Sequence, residues 1–245
     1  MIRNYIEQPF IVIGMHRSGT TMVAEAMNNS GICMGVMRDH NSEAFHFLSL
    51  NQQMLWAAGA DWIEPKIPGK ENDLTLPAYS IYAEHIKSES ANPLKLKLLH
   101  NNPWGWKDPR NTFTIKYWLN VFPKAKVLHV LRDGRAVAMS LKNRNNVKGE
   151  VYDERLNDLE FNFKLWEKYI SEGLKWQSIG KNYLMIKYED LVSNQSAVLN
   201  LLDKFTMKQV SHFMQPKLKS RSNFPDELNQ LAQTSALFNE LGYQV

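Results

Sequence analysis

Residues 10–30 read FIVIGMHRSGTTMVAEAMNNS, and no other stretch restricts the fold so tightly. An apolar run ends at Gly14, four residues follow, and Gly19 opens onto Thr20, Thr21 and a helix-compatible segment. The pattern predicts a strand over about 9–14 and a loop whose backbone amides cradle a phosphate. A helix then runs over 20–29 with Met22, Ala26 and Met27 on one side and ends at Asn29 to Gly31. Thr20 stands where the ATP-binding form of this loop places lysine, so a dianionic phosphoryl group would lack its usual neutralising partner.

Further along, strand and helix patterns alternate. VLHVL at 127–131 fits a buried parallel strand, which puts Arg132 at its carboxyl end and lets Asp133 begin the next helix. YLMIKY at 183–188 is another apolar strand, set between a helical pattern over 154–176 (Leu159, Phe163, Trp166, Ile170) and SNQSAVLNLLDKF. Asp108 followed by Pro109 reads as a helix start, with aspartate as the N-cap and Lys107 just before it; Pro123 follows that helix. Segments 47–59 and 77–90 look helical, and the stretch between them, with Pro65, Pro68 and Gly69, reads as a loop over a ligand cleft. The expectation is one α/β domain over 1–245, P-loop-type and doubly wound around a central parallel sheet. Residues of about 40–100 would face the substrate and about 207–245 would form a C-terminal tail. Ligands of such sheets bind beyond the carboxyl ends of the strands, where the loop, Lys107 and Arg132 would meet.

At 245 residues and 44% hydrophobic content the chain can bury one substantial core. Its one cysteine, Cys33, excludes an internal disulfide or a cysteine-based zinc site, and a buried small residue is the expected role. The seven histidines have no metal-ligand spacing, so no metal is expected. A net charge of +4 suits an anionic small ligand but lacks the Lys/Arg runs of a nucleic-acid binder. MIRNYIEQPF has no signal-peptide apolar region and no stretch approaches a membrane span, so a cytoplasmic location is expected.

GMHRSGTT at 14–21, WGWKDPR at 104–110 and KVLHVLRDGRAVAMSLKNR at 126–144 together resemble the sulfotransferases that use 3′-phosphoadenosine 5′-phosphosulfate (PAPS). The likeness is closer to bacterial and tyrosylprotein-type members, and NSEAFHFLSLNQQMLWAAGADW at 41–62 extends it. The resemblance implies that His16, Arg17, Ser18, Gly19, Thr20 and Thr21 hold the 5′-phosphosulfate, with Arg17 neutralising the oxygen that becomes the leaving phosphate. Lys107 matches the lysine that steadies the transferred sulfonyl group. Arg132 and Ser140 match the pair that holds the 3′-phosphate, and Arg144, on one helix face with Ser140, matches a further phosphate-contacting arginine. Tyr188 matches a tyrosine near the adenine, and it also reads as a core tyrosine ending a strand; Ser222 matches a serine beside the cofactor.

Glu43 aligns with the glutamate base of bacterial and tyrosylprotein-type members, although Ser42 and Ala44 replace its expected aromatic and acidic neighbours; His46 is the alternative base on the same helical face. The glycine-rich C-terminal adenosine clamp of cytosolic members is missing. The implied activity is direct in-line transfer from PAPS, without metal, to a hydroxyl or amine of a small-molecule, glycan or peptide acceptor. Two other readings stand beside it: a small-molecule P-loop kinase, opposed by the missing loop lysine, and a non-catalytic nucleotide-binding scaffold, opposed by Glu43 with Lys107. Acceptor identity and oligomeric state have no readable motif.

Overall fold

A computed structural model describes residues 7–69, 102–148, 151–214 and 223–245. Among these, β1 (Phe10–Gly14), β2 (Gly105–Lys107), β3 (Lys126–Leu131) and β4 (Tyr183–Lys187) form one parallel sheet in the order β2-β1-β3-β4. Ile11 and Ile13 point into an aromatic cluster with Trp104, Trp106, Trp118 and Phe122. Phe10 and Val12 point the other way, toward Val23, Met27 and Leu202. Burial on both faces is why β1 is continuously apolar instead of alternating.

Helices cover both faces. α1 (Thr20–Asn29) follows the loop after β1, α2 (Phe45–Ala57) leads toward β2, and α3 (Asn111–Val121) joins β2 to β3. α4 (Gly134–Asn145) and α5 (Leu159–Leu174) carry the chain from β3 to β4, and α6 (Tyr188–Val192) and α7 (Ser196–Thr206) follow β4. Asp133 caps α4 as expected, its carboxylate accepting the Arg135 amide at 2.8 Å. α8 (Asp226–Thr234) and α9 (Ala236–Glu240) pack Leu228, Ala232 and Phe238 against Phe163 and Trp166 of α5. No helix among the described residues is long and apolar enough to cross a membrane.

Several boundaries differ from the sequence reading. The helix expected at Asp108–Pro109 begins at Asn111, because those two residues form a turn in which the Asp108 carboxylate accepts the Arg110 amide at 2.9 Å. The 154–176 pattern divides into a 3-10 turn over Glu154–Asn157 and α5. Tyr188 starts α6 and does not end β4. Glu43 precedes α2 and shares no helical face with His46. Cys33 is half-buried, not buried. The expected helix over 77–90 and Ser222 lie outside the described residues.

Candidate active site

The connections after β1 and β3 leave toward opposite edges of the sheet, and the crevice this opens beyond their carboxyl ends holds a cavity of about 430 Å³. Its floor is the loop between Gly14 and Thr20. A Cβ on Gly14 would stand 2.5 Å from the Val130 carbonyl oxygen, and one on Gly19 would stand 2.3 Å from the Tyr188 ring, with φ +92° at Gly19. Both glycines are therefore required by close approach as well as by backbone conformation. Arg17 also adopts a left-handed φ of 70°. Ser18 closes the loop from within: it is fully buried, and its hydroxyl donates to the Met15 carbonyl at 2.6 Å. It does not line the cavity, whereas His16, Arg17, Gly19, Thr20 and Thr21 do.

On the β3 side, three sequence-predicted residues meet in a chain of contacts. Arg17 Nε donates to Ser140 Oγ at 2.9 Å, and Arg132 Nη1 donates to the Arg17 carbonyl at 2.9 Å. The Arg132 guanidinium lies 4.6 Å from the centre of the Tyr188 ring, which fixes the arginine by cation–π contact. Its Nε is buried without a hydrogen-bond partner among the described residues. Arg144 reaches the cavity from the last turn of α4 and lies 5.2 Å from the Trp62 ring centre. Burial pushes the Tyr188 phenol up from its ordinary pKa, against the pull of Arg132.

On the β2 side, Glu43 and Lys107 come together across 64 positions of sequence. Lys107 Nζ lies 3.0 Å from Glu43 Oε1, with side-chain exposures of 1% and 5%. Arg110 Nη1 donates to Glu43 Oε2 at 3.1 Å and to Asp108 Oδ1 at 2.9 Å. Asn51 Nδ2 donates to Asp108 Oδ2 at 2.9 Å, so the second carboxylate is anchored to α2. Burial and the neighbouring Asp108 raise the Glu43 pKa above the ordinary carboxylate value, while Lys107 and Arg110 pull it down. Burial opposes the Arg110 charge, but the Asp108 and Glu43 carboxylates prevail and hold the guanidinium more firmly protonated than usual.

The segment before Glu43 is a built turn. Asp39 Oδ1 accepts the amides of Asn41 at 2.9 Å and Glu43 at 2.8 Å, Ser42 takes a left-handed φ of 61°, and Thr21 Oγ1 donates to the Asn41 carbonyl at 3.0 Å. Thus the loop bearing Glu43 is tied directly to the start of α1. His46 does not line the cavity. His16 does, packed 4.6 Å from the Trp62 ring, with Nε2 buried and unpartnered among the described residues. Burial first, then Arg110, Lys107, Arg144 and Arg17, lower its pKa well below 6.5, so its imidazole is neutral. Among the described residues, no three His, Cys, Asp or Glu side chains converge on a metal position.

Sequence reasoning missed three participants. These are Arg110 and Trp62, which no local pattern marks, and Asp39, although DHNSE carries Asx-turn chemistry.

Comparison with known proteins bears on the fold and the family. A sequence profile described as the sulfotransferase family matches residues 9–206. No curated protein matches the chain in sequence. Among solved structures, the chain is similar to sulfotransferase STF9 from Mycobacterium avium at 14% identity and TM-score 0.54, covering 98% of this chain and 78% of that one. The sulfotransferase domain from the curacin biosynthetic pathway matches at 14% identity and TM-score 0.54, over 97% of this chain and 98% of its own. A sulfotransferase from Alicyclobacillus acidocaldarius matches at 12% identity and TM-score 0.56, over 97% of both chains. At these identities the likeness carries the fold, and the profile, which spans most of the length including the loop, Lys107 and Arg132, carries the family: the chain belongs to the sulfotransferases.

Proposed function

We propose that this protein transfers a sulfonyl group from PAPS to a hydroxyl or amine acceptor by direct in-line displacement, with Glu43 as general base. The observation that carries the reading is a buried carboxylate held by Lys107 at one end of a cavity whose other end presents Arg132. The donor set suits a doubly phosphorylated adenosine. Arg132, with a buried Nε lacking a partner among the described residues, would take the 3′-phosphate. Thr20 and Thr21 line the cavity at the start of α1, where they and the helix amides would hold the 5′-phosphosulfate. Tyr188 presents a ring beside the loop for the adenine side.

In the transfer, Glu43 takes the acceptor proton as the acceptor oxygen or nitrogen bonds to sulfur. The bond from sulfur to the bridging oxygen breaks, and adenosine 3′,5′-bisphosphate leaves. Lys107 and Arg17 stabilise the negative charge that grows on the leaving phosphate. A sulfonyl group carries less charge than a phosphoryl group, so these cations and the loop amides suffice without magnesium. Calorimetry in EDTA tests the reading. Adenosine 3′,5′-bisphosphate should bind without a divalent cation and more tightly than ATP with magnesium does in parallel titrations. Tighter binding of magnesium ATP would favour the kinase reading instead.

A further inference from the structure

We propose that Arg110 is the positioning residue of Glu43, holding its carboxylate ionised and oriented while Lys107 turns to the donor. This rests on the reading of Glu43 as the base. The two cations divide the carboxylate between them: Lys107 takes Oε1 at 3.0 Å and Arg110 takes Oε2 at 3.1 Å. As Lys107 gives its donors to the leaving phosphate, its hold on Glu43 weakens. Once it turns to the phosphate, Oε1 is exposed as the proton acceptor, and a buried carboxylate left with no cation at all would take up a proton before the acceptor arrives.

Arg110 prevents this because its own position does not depend on the ligand. The Nη1 that holds Glu43 also holds Asp108 Oδ1 at 2.9 Å, the Arg110 amide donates to the same oxygen, and Asn51 fixes Asp108 Oδ2. A guanidinium also cannot hand its proton to the base, whereas an ammonium can. The charged and titratable groups close to Glu43 among the described residues include Asp108, which raises its pKa, Lys107 and Arg110, which lower it, the buried Tyr169 phenol of α5, and Asp39, whose Oδ1 accepts the Glu43 amide. Burial and Asp108 already outweigh the two cations, and removing Arg110 widens that margin.

The test combines titration and kinetics. The Glu43 carboxyl is followed by ¹³C NMR, assigned by its loss in Glu43→Gln, with adenosine 3′,5′-bisphosphate bound. Arg110→Gln should raise its pKa by about 1–3 units, and Arg110→Lys should leave it near the wild-type value. Single-turnover loss of ³⁵S from labelled PAPS, to water or to an acceptor from a panel of alcohols, phenols and amines, should fall about 10²-fold in Arg110→Gln. The acid limb of its pH profile should move to higher pH, with donor affinity little changed. In a Glu43→Gln background the same substitution should cost almost nothing further. An unmoved carboxyl titration with equal losses in both backgrounds would overturn the proposal and leave the base reading standing. If Glu43→Gln by itself costs little, the base reading fails and takes this one with it. Should Arg110→Gln not fold, Arg110→Met takes its place in both backgrounds: loss of rate only where Glu43 is present supports positioning, and equal loss in both overturns it.

Discussion

The two flanks of the cavity are both cationic, but they use their charge differently. On the β2 side, Lys107 and Arg110 are bound to the Glu43 and Asp108 carboxylates at 2.9–3.1 Å, and nearly all of this network is withdrawn from solvent. On the β3 side, Arg132 is held by a main-chain carbonyl and an aromatic face, with no carboxylate within ion-pair distance among the described residues. A buried ion network is costly to break from one side. A guanidinium held only by neutral groups keeps its charge for an anion from outside. On the proposed reading, one flank holds the base in place and the other receives the ligand.

Substitutions should separate these roles. Lys107→Ala should reduce single-turnover transfer about 10²–10³-fold and destabilise the fold by about 3 kcal/mol, because Glu43 loses a buried partner. Full stability in chemical denaturation would show that the pair contributes nothing to the fold. Arg132→Ala should behave oppositely. Affinity for adenosine 3′,5′-bisphosphate should fall about 10–150-fold, following the roughly 1.5–3 kcal/mol of a charged hydrogen bond. Adenosine 5′-phosphate binding and thermal stability should change far less. Equal losses for both nucleotides in calorimetry would remove Arg132 from the 3′-phosphate.

Titration sharpens the same contrast. Because the folded Glu43 pKa is raised, the base is protonated and inactive at acid pH, and transfer should rise with pH through a midpoint above 4.5. The sign for stability is reversed: between the unfolded and folded pKa values the native state holds the extra proton, so this group's contribution falls as pH rises through that window. The neutral His16 should add no limb near 6.5. A limb there that vanishes in His46→Asn or His16→Asn would assign the base to histidine. At the lower end of the scale, Lys124→Ala breaks an exposed pair with Glu7 (2.7 Å) and should shift stability by less than about 0.5 kcal/mol.

The β3 side was the more legible in sequence. An apolar run ending in Arg132, and a Gly-x4-Gly loop opening a helix, fix their own geometry over a few residues, so β1, β3, α1 and the Asp133 cap follow from local pattern. The spacing of Ser140 and Arg144 placed them on one helix, but not the donation from Arg17 that occupies the Ser140 hydroxyl. The β2 side depends on contacts distant in sequence. β2 is only three residues long and is bounded by Trp104 and a proline turn, too short for any periodicity to declare itself. The reach of Arg110 to Glu43 spans 67 positions and depends on the Asp108–Pro109 turn delaying α3 until Asn111. The left-handed Ser42 that presents Glu43 replaces the helical setting expected from its spacing to His46.

The central claim is that the carboxylate clamped between Lys107 and Arg110 is the base, and Glu43→Gln tests it most directly because it keeps size and polarity while removing basicity. Single-turnover transfer of ³⁵S from labelled PAPS should fall about 10²–10⁴-fold, the range of general-base loss. Affinity for adenosine 3′,5′-bisphosphate should stay close to wild type, since the proposed reading has that ligand held from the opposite flank. A folded Glu43→Gln protein that transfers at nearly the wild-type rate would contradict the account.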